Sequence, residues 1–393
     1  MYSIKEIPTL DGSPKLYRYL SLIKDISSNG NNLISGSGFS LNPASAKISA
    51  ICESIERYCA NFYSGQEIII DSYNNLNQNA LDPSKITKFT ETQYLELKNY
   101  EEFSYDRKMT WVKANSMRTD DDILVPFELI YLKDPPVNKP MRDVISTGLA
   151  CGKNRNFAFA SGLNECIERD AFICFWMLGE INYEVRLNSI HNKYIDKLLS
   201  KANRANLEIR VFDITQEFKV PTILTLVRKK HGKGYYFGCA ANLDYLTAIK
   251  KSIEEGIGGF SIYYEILHKH NHDVPSSKND IKTLDDHPLY YLAGNNDSIL
   301  DELLPGDLAS IEYKPYTISI DDAVQNILQN GYEIYSKDIT TRDVEQLGVN
   351  VVRVSIPALC SLPINEPQLD CKRLELKAER LKRDFNLEPH PFP

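Results

Sequence analysis

Apolar residues recur at three- and four-residue spacing in five long stretches, 44–63, 158–179, 245–267, 320–329 and 368–385, and that period predicts helices there. Between them, β-branched or alternating runs predict strands at 67–70, 123–127, 208–214, 222–227, 235–240, 332–339 and 350–356. Helices and strands are interspersed rather than segregated, so the pattern predicts an α/β fold of mixed helix and sheet layers. No low-complexity linker divides the chain. One catalytic domain over 1–393 accounts for it, with residues 1–34 and a Pro-rich tail over 386–393 as appendages. The polar stretch 268–296 reads as a long surface excursion. Its His268-x-His270-x-His272 spacing is a candidate metal site, although a solvated polar loop explains it as well.

Composition narrows the class. Hydrophobic residues make up 42% and charged residues 25%, the mix of a soluble globular protein with a sizeable core. A net charge of −8 supplies no basic field, so nucleic acid is not an expected partner, and an anionic ligand needs local basic groups or metal ions. Lys5 and Glu6 interrupt the first residues, which therefore lack a secretory signal, and the apolar run 171–178 is too short to span a bilayer. No Cys-x-x-Cys pair occurs among the eight cysteines, which sit mostly in apolar contexts and read as reduced core residues of a cytoplasmic protein.

Two segments repeat one motif, Glu53-x-x-Glu56-Arg57 and Glu165-x-x-Glu168-Arg169, offset by 165 − 53 = 112 residues. On a helix, positions i, i+3 and i+4 share a face, so each motif presents two carboxylates and a guanidinium together. A surface stripe of ion pairs is the bland alternative. Apolar neighbours argue against it: Ile51, Cys52, Ile55, Tyr58 and Cys59 flank the first motif, and Leu163, Cys166, Ile167 and Phe172 flank the second. Buried carboxylates need cations, and two arginines do not neutralise four acids. Mg²⁺, a hard ion that bridges carboxylates to phosphate oxygens, meets that need, as does a structural ion-pair network.

A third helical segment carries Ala248, Lys251, Ser252 and Glu255, with Lys251 placed for a phosphate and Glu255 for a ribose or metal. Ser35-Gly36-Ser37-Gly38, before the first motif, is a candidate backbone anion cradle. Neither a P-loop ending nor a dinucleotide glycine fingerprint is present.

With these motifs in order, the chain resembles the YcaO family, ATP-dependent enzymes that activate peptide-bond carbonyl oxygens. The resemblance runs from about Ser35 to Pro393. It rests on Ser35-Gly-Ser-Gly with Ala46-x-x-Ser49-Ala50-x-x-Glu53-x-x-Glu56-Arg57, and on Ser146-Thr-Gly-Leu-Ala-Cys-Gly152 with Gly162-Leu-x-Glu165-x-x-Glu168-Arg169-Asp170-Ala. Ala248-x-x-Lys251-x-x-x-Glu255 and Val351-Val-Arg353-Val-x-x-Pro357 complete it. It implies a YcaO-like fold, ATP and Mg²⁺ as cofactors, and Glu53, Glu56, Glu165 and Glu168 as metal ligands. It also implies nucleotide contacts from Ser37, Ser49, Arg57, Arg169, Lys251 and Glu255. The chain departs from the family where Lys is frequent (Ser37), where Glu is frequent (Phe157) and where Gln is frequent (Gly258).

The sequence ends Pro389-His-Pro391-Phe-Pro393. A Pro-rich terminus is ordinarily a frayed tail. In this family it resembles the azoline-forming cyclodehydratases, in which the tail runs into the active site, and proline suits that role because its fixed φ leaves less entropy to lose. The resemblance therefore implies Pro389, Pro391 and Pro393 at the catalytic centre, with the terminal carboxylate as a candidate base. The implied reaction forms thiazoline or (methyl)oxazoline from Cys, Ser or Thr of a precursor peptide. Implied partners are that peptide, a separate E1-like leader-binding protein, a flavin-dependent azoline dehydrogenase and further copies of the chain. Thioamide or amidine formation, and a nucleotide-binding scaffold without chemistry, are the alternatives.

Overall fold

The computed structural model describes residues 2–9, 12–24, 33–63, 65–269 and 274–392. Three sheets organise it. The first is antiparallel, β1 (Tyr2–Glu6), β2 (Tyr17–Lys24) and β3 (Leu33–Ser40). The second orders β4 (Ile68–Ser72), β5 (Lys108–Ser116), β13 (Tyr335–Asp338), β14 (Asn350–Ser355) and β7 (Leu149–Gly152), with β6 (Asp122–Pro126) paired to β5. The third orders β11 (Tyr235–Ala241), β10 (Thr222–Lys229), β9 (Leu207–Asp213), β8 (Tyr183–Arg186) and β12 (Ser310–Glu312), antiparallel except where β12 joins β8. The helices are α1 (Pro43–Ala60), α2 (Glu91–Glu96), α3 (Arg155–Leu178), α4 (Lys193–Arg204), α5 (Tyr245–Lys269), α6 (Asp286–Leu292), α7 (Ile299–Leu303), α8 (Ile320–Gln329), α9 (Arg342–Glu345) and α10 (Lys372–Leu381). Among the described residues, no helix is long and apolar enough to cross a membrane.

Local chemistry explains the two long central helices. Asn42 caps α1 by accepting the Ala44 and Ser45 N–H groups, and Pro43 starts it with φ already set. Asn154 caps α3 through the Phe157 N–H, and Gly179 ends it in the left-handed region at φ 62°. The strand pleat then sorts the layers. On the third sheet Leu224, Leu226, Tyr235, Phe237 and Cys239 pack with Phe172, Phe175 and Trp176 of α3, whereas Ile223, Val227 and Tyr236 pack with Ile249, Ile253 and Ile257 of α5. The third sheet is thus covered by α3 on one face and α5 on the other. On its far side α3 meets β7 and β14 of the second sheet, and α1 meets β2, β3 and β7. The mixed α/β layering predicted from periodicity is the observed architecture.

Three readings change. The N-terminal segment contributes β1 and β2 to a sheet on α1 rather than hanging from the domain. Ser35-Gly-Ser-Gly lies inside β3 and is not a loop cradle: a Cβ at Gly38 would lie 2.1 Å from the Ala46 carbonyl, so the glycines let the strand press onto α1. The stretch 268–296 is not a surface excursion, because α6 within it is buried from His287 to Leu292. Of the histidine triplet, His268 is exposed and bonded to the Tyr264 carbonyl, while His270 and His272 lie outside the described residues.

Candidate nucleotide and metal site

The two acidic motifs face each other across one cleft. It has a volume of about 360 Å³ and is lined by Glu53, Glu56 and Arg57 of α1, by Glu165, Glu168 and Arg169 of α3, and by Lys251 and Glu255 of α5. A facing backbone N–H, from a strand or from the turn before β7, holds each of the four glutamates. Ser37 N donates to Glu53 at 2.6 Å, Cys151 N to Glu56 at 2.6 Å, Gly148 N to Glu165 at 2.9 Å and Ala241 N to Glu168 at 3.0 Å. Such charge-assisted bonds fix carboxylate orientation without neutralising it. Gly148 is glycine by necessity: φ is +83°, and a Cβ there would lie 2.0 Å from the Val354 carbonyl.

The halves are electrostatically alike. Arg57 pairs with Glu53 at 2.6 Å, and Arg169 pairs with Glu165 at 2.8 Å while donating to the Thr147 hydroxyl. In each half the second glutamate is left over. Glu56, Glu168 and Glu255 have no ion pair among the described residues. Burial, reinforced by Glu165, pushes the Glu56 carboxyl well above its usual range. Burial with Glu165 beside it lifts Glu168 to about 7, and burial with Glu168 beside it lifts Glu255 well up. Three carboxyls without an ion pair, converging on one cleft, are the donor set a hard divalent cation requires. The residues fit Mg²⁺, and Lys251 supplies a cation for phosphate.

Of the other expected contacts, Ser37 reaches the cleft only through Glu53, and Ser49 lies exposed on α1 a turn before it, outside the lining. Asn164 and Ser161, absent from the sequence-predicted contacts, line the cleft, as does Ser146, which opens the second motif. The first two fall on the same face of α3 as Glu165 and Glu168, so helical spacing was the available signal. Asp170, the next residue in the motif, points elsewhere. It is fully buried, bonded by both oxygens to Arg373 and by one to Cys360 N, which engages both carboxylate oxygens although Cys174 and Cys360 lie close by.

Two departures have local accounts. Phe157 is 51% exposed, with Lys153 over its ring. At Gly258 the Phe39 ring occupies the space a side chain needs, since a Cβ would lie 2.3 Å from Phe39 Cδ2. Gly258→Ala is therefore expected to lower stability by roughly 1–3 kcal/mol, measured by denaturant unfolding, and Phe39→Leu to restore most of the loss.

The Pro-rich tail is not frayed. Trp176 Nε1 donates to the Glu388 carbonyl at 2.8 Å, Tyr291 OH to the Pro389 carbonyl, and His287 Nδ1 bonds the His390 carbonyl at 2.7 Å. Pro391 is buried, and the Phe392 ring packs on Phe172 at 4.8 Å between centroids. Trp176, Phe172 and Glu168 succeed one another at four-residue steps along α3, so the tail ascends the helix to one turn below the cleft. Pro393 lies outside the described residues.

Two stacked imidazoles, His287 and His390 at 4.2 Å, hold the tail. Both nitrogens of His287 face carbonyls, which favours imidazolium, but burial outweighs them and lowers its pKa; burial beside His287 lowers that of His390 further. The folded state therefore keeps both rings neutral where the unfolded chain protonates. Their contribution is intact above about pH 6.5 and is lost as pH falls below it. The unfolding midpoint should drop between pH 7 and 5.5, and His390→Leu should flatten that slope.

Comparison with known proteins fixes the family. A family profile described as YcaO cyclodehydratase, ATP- and Mg²⁺-binding, matches residues 37–360. The chain belongs to the YcaO family. A Methanothermobacter thermautotrophicus protein of uncharacterised function is 25% identical over 80% of this chain and 78% of its own. Among solved structures, a heterocyclase in complex with substrate and cofactor superposes with a TM-score of 0.79 at 23% identity, over 99% of this chain and 54% of that one. This chain thus spans about half of that heterocyclase's length. The Methanopyrus kandleri YcaO bound with AMPPCP and Mg²⁺ gives 0.62 at 15% identity, covering 99% and 91%. The Escherichia coli microcin synthetase McbBCD complex with pro-MccB17 bound gives 0.63 at 17%, covering 99% and 96%. ATP and Mg²⁺ are the cofactors of this YcaO fold, and the carboxylate cleft fits the metal.

Proposed function

We propose that this chain is an ATP-dependent cyclodehydratase that converts Cys, Ser or Thr of a ribosomally made precursor peptide into thiazoline or (methyl)oxazoline. The observation that carries the reading is the seated tail, which brings Pro389, Pro391 and Phe392 up α3 to the turn below Glu168 and Arg169. In the proposed reaction the peptide thiol or hydroxyl adds to the preceding amide carbon, losing its proton. The carbonyl oxygen takes the γ-phosphoryl group of ATP and releases ADP. Phosphate then leaves with that oxygen as the amide N–H proton is lost and the ring C=N forms. Glu53, Glu56, Glu165 and Glu168 would hold Mg²⁺, which supplies charge neutralisation to the phosphates. Lys251 would meet a phosphate directly, Arg57 and Arg169 would orient Glu53 and Glu165, and Glu255 would contact the nucleotide. Pro389, Pro391 and Pro393 would wall the peptide side.

The peptide, a separate leader-binding E1-like protein, a flavin-dependent dehydrogenase and self-association in the cytoplasm belong to the same proposal. Purified chain, Mg²⁺·ATP and the precursor peptide encoded beside it are to be combined with and without the neighbouring partner protein. A loss of about 18 Da per ring, one water, supports the reading. ATP hydrolysis without that loss in every combination overturns it, and a sulfide-dependent gain of about 16 Da assigns thioamidation instead. The second reading, a nucleotide-binding subunit without chemistry, is favoured by the altered positions Ser37, Phe157 and Gly258.

A further inference from the structure

A second polar cavity, about 40 Å³, lies behind the wall of the cleft and is lined by Glu128, Arg142, Thr147, Arg353, Ser355 and Ser361 among others. Its two arginines are 92% and 96% buried, being 8% and 4% exposed. Neither has an ion pair among the described residues. Arg353 gives Nε to the Leu129 carbonyl at 2.9 Å and Nη2 to the Ile145 carbonyl at 2.8 Å, while its buried Nη1 has no partner. No side-chain hydrogen bond of Arg142 occurs among the described residues, and the Ser361 hydroxyl is buried and unpartnered.

The two carboxylates that also line the cavity, Asp143 and Glu128, offset this charge only in part. Asp143 already accepts Tyr100 OH at 2.5 Å, Ile364 N at 3.1 Å and Gln368 Nε2 at 3.2 Å. Glu128 accepts Met141 N, and burial raises its pKa, which favours its neutral form. Two buried guanidinium groups thus face one cavity without an ion pair, and the unused Arg353 Nη1 is a costly buried donor. We propose that this cavity binds a halide-sized monovalent anion between Arg142 and Arg353. Its volume, about three water-sized spheres, excludes a nucleotide phosphate chain or a peptide.

The site bears on the cleft through one segment. Ile145 and Thr147 face the cavity while Ser146 and Leu149 face the cleft. Thr147 receives Arg169, and Gly148 N holds Glu165. A bound anion braces the wall that positions both.

Crystals soaked in sodium bromide should give an anomalous peak within hydrogen-bond distance of Arg353 Nη1; water density alone at that point overturns the proposal. In solution, replacing sodium gluconate by bromide at equal ionic strength should raise the unfolding midpoint by roughly 3 °C at about hundredfold excess over Kd. Arg142→Gln should erase that difference. Should Arg142→Gln not fold, Ser361→Ala, which keeps both guanidinium groups, should weaken bromide affinity several-fold. Equal wild-type midpoints in the two salts overturn the proposal.

Discussion

Glu168→Gln is expected to reduce Mg²⁺-dependent ATP turnover by on the order of 10²–10³-fold while making the metal-free protein more stable. The two effects share one cause. Glu168 is held by Ala241 N, a bond the Gln amide oxygen can keep, but it has no ion pair among the described residues. Burial lifts its folded pKa to about 7 from 4.5, so the apo protein loses stability as pH rises from about 4.5 through 7. The substitution removes that loss, and its stabilising effect should be full at pH 8 and absent near pH 4.5. Differential scanning calorimetry in chelator checks the first half, and a phosphate-release assay the second. Mg²⁺·ATP should raise the wild-type midpoint and leave that of Glu168→Gln unmoved.

Phe392→Ala is expected to abolish ring formation while leaving nucleotide affinity within about twofold of wild type. Phe392 is 4% exposed and packs on Phe172, one turn from Glu168, so truncation frees the tail where it approaches the cleft. Buried Phe→Ala changes cost about 3–5 kcal/mol in a closed core, and a terminal segment sheds part of that by detaching. Detachment should appear as carboxypeptidase release of the last residues, which wild type resists at pH 7. Product mass and nucleotide binding, measured on one preparation, separate a catalytic tail from a scaffold, since a scaffold's complex formation is indifferent to the change.

The acids were legible because helical spacing is local: Glu53 with Glu56, and Glu165 with Glu168, share faces by the 3.6-residue period alone. Their anchors were not. Cys151 reaches Glu56 across 95 residues and Ala241 reaches Glu168 across 73, and no local pattern carries such pairings. Arg373 meets Asp170 across 203 residues, so nothing local to the second motif shows that the acid closing it anchors α10. Polarity misled at 268–296, where Pro275 and the Ser, Asn and Asp residues outweighed the apolar Pro288–Leu292 run that buries α6. Glycines misled at 35–38, where the close approach they permit is to α1. The tail's seat was legible only through resemblance, since Trp176, Tyr291 and His287 lie some 100 to 212 residues from the carbonyls they bind.

On the proposed reading, the paired glutamates form a metal-dependent nucleotide site. Titrating a non-hydrolysable ATP analogue into the full chain by calorimetry, in excess Mg²⁺ and then in chelator, tests it most directly. Binding in Mg²⁺ that vanishes in chelator, and is lost from Glu56→Gln/Glu168→Gln in either, is the predicted result. Equal affinity with and without Mg²⁺, or full binding by the double variant, would contradict it.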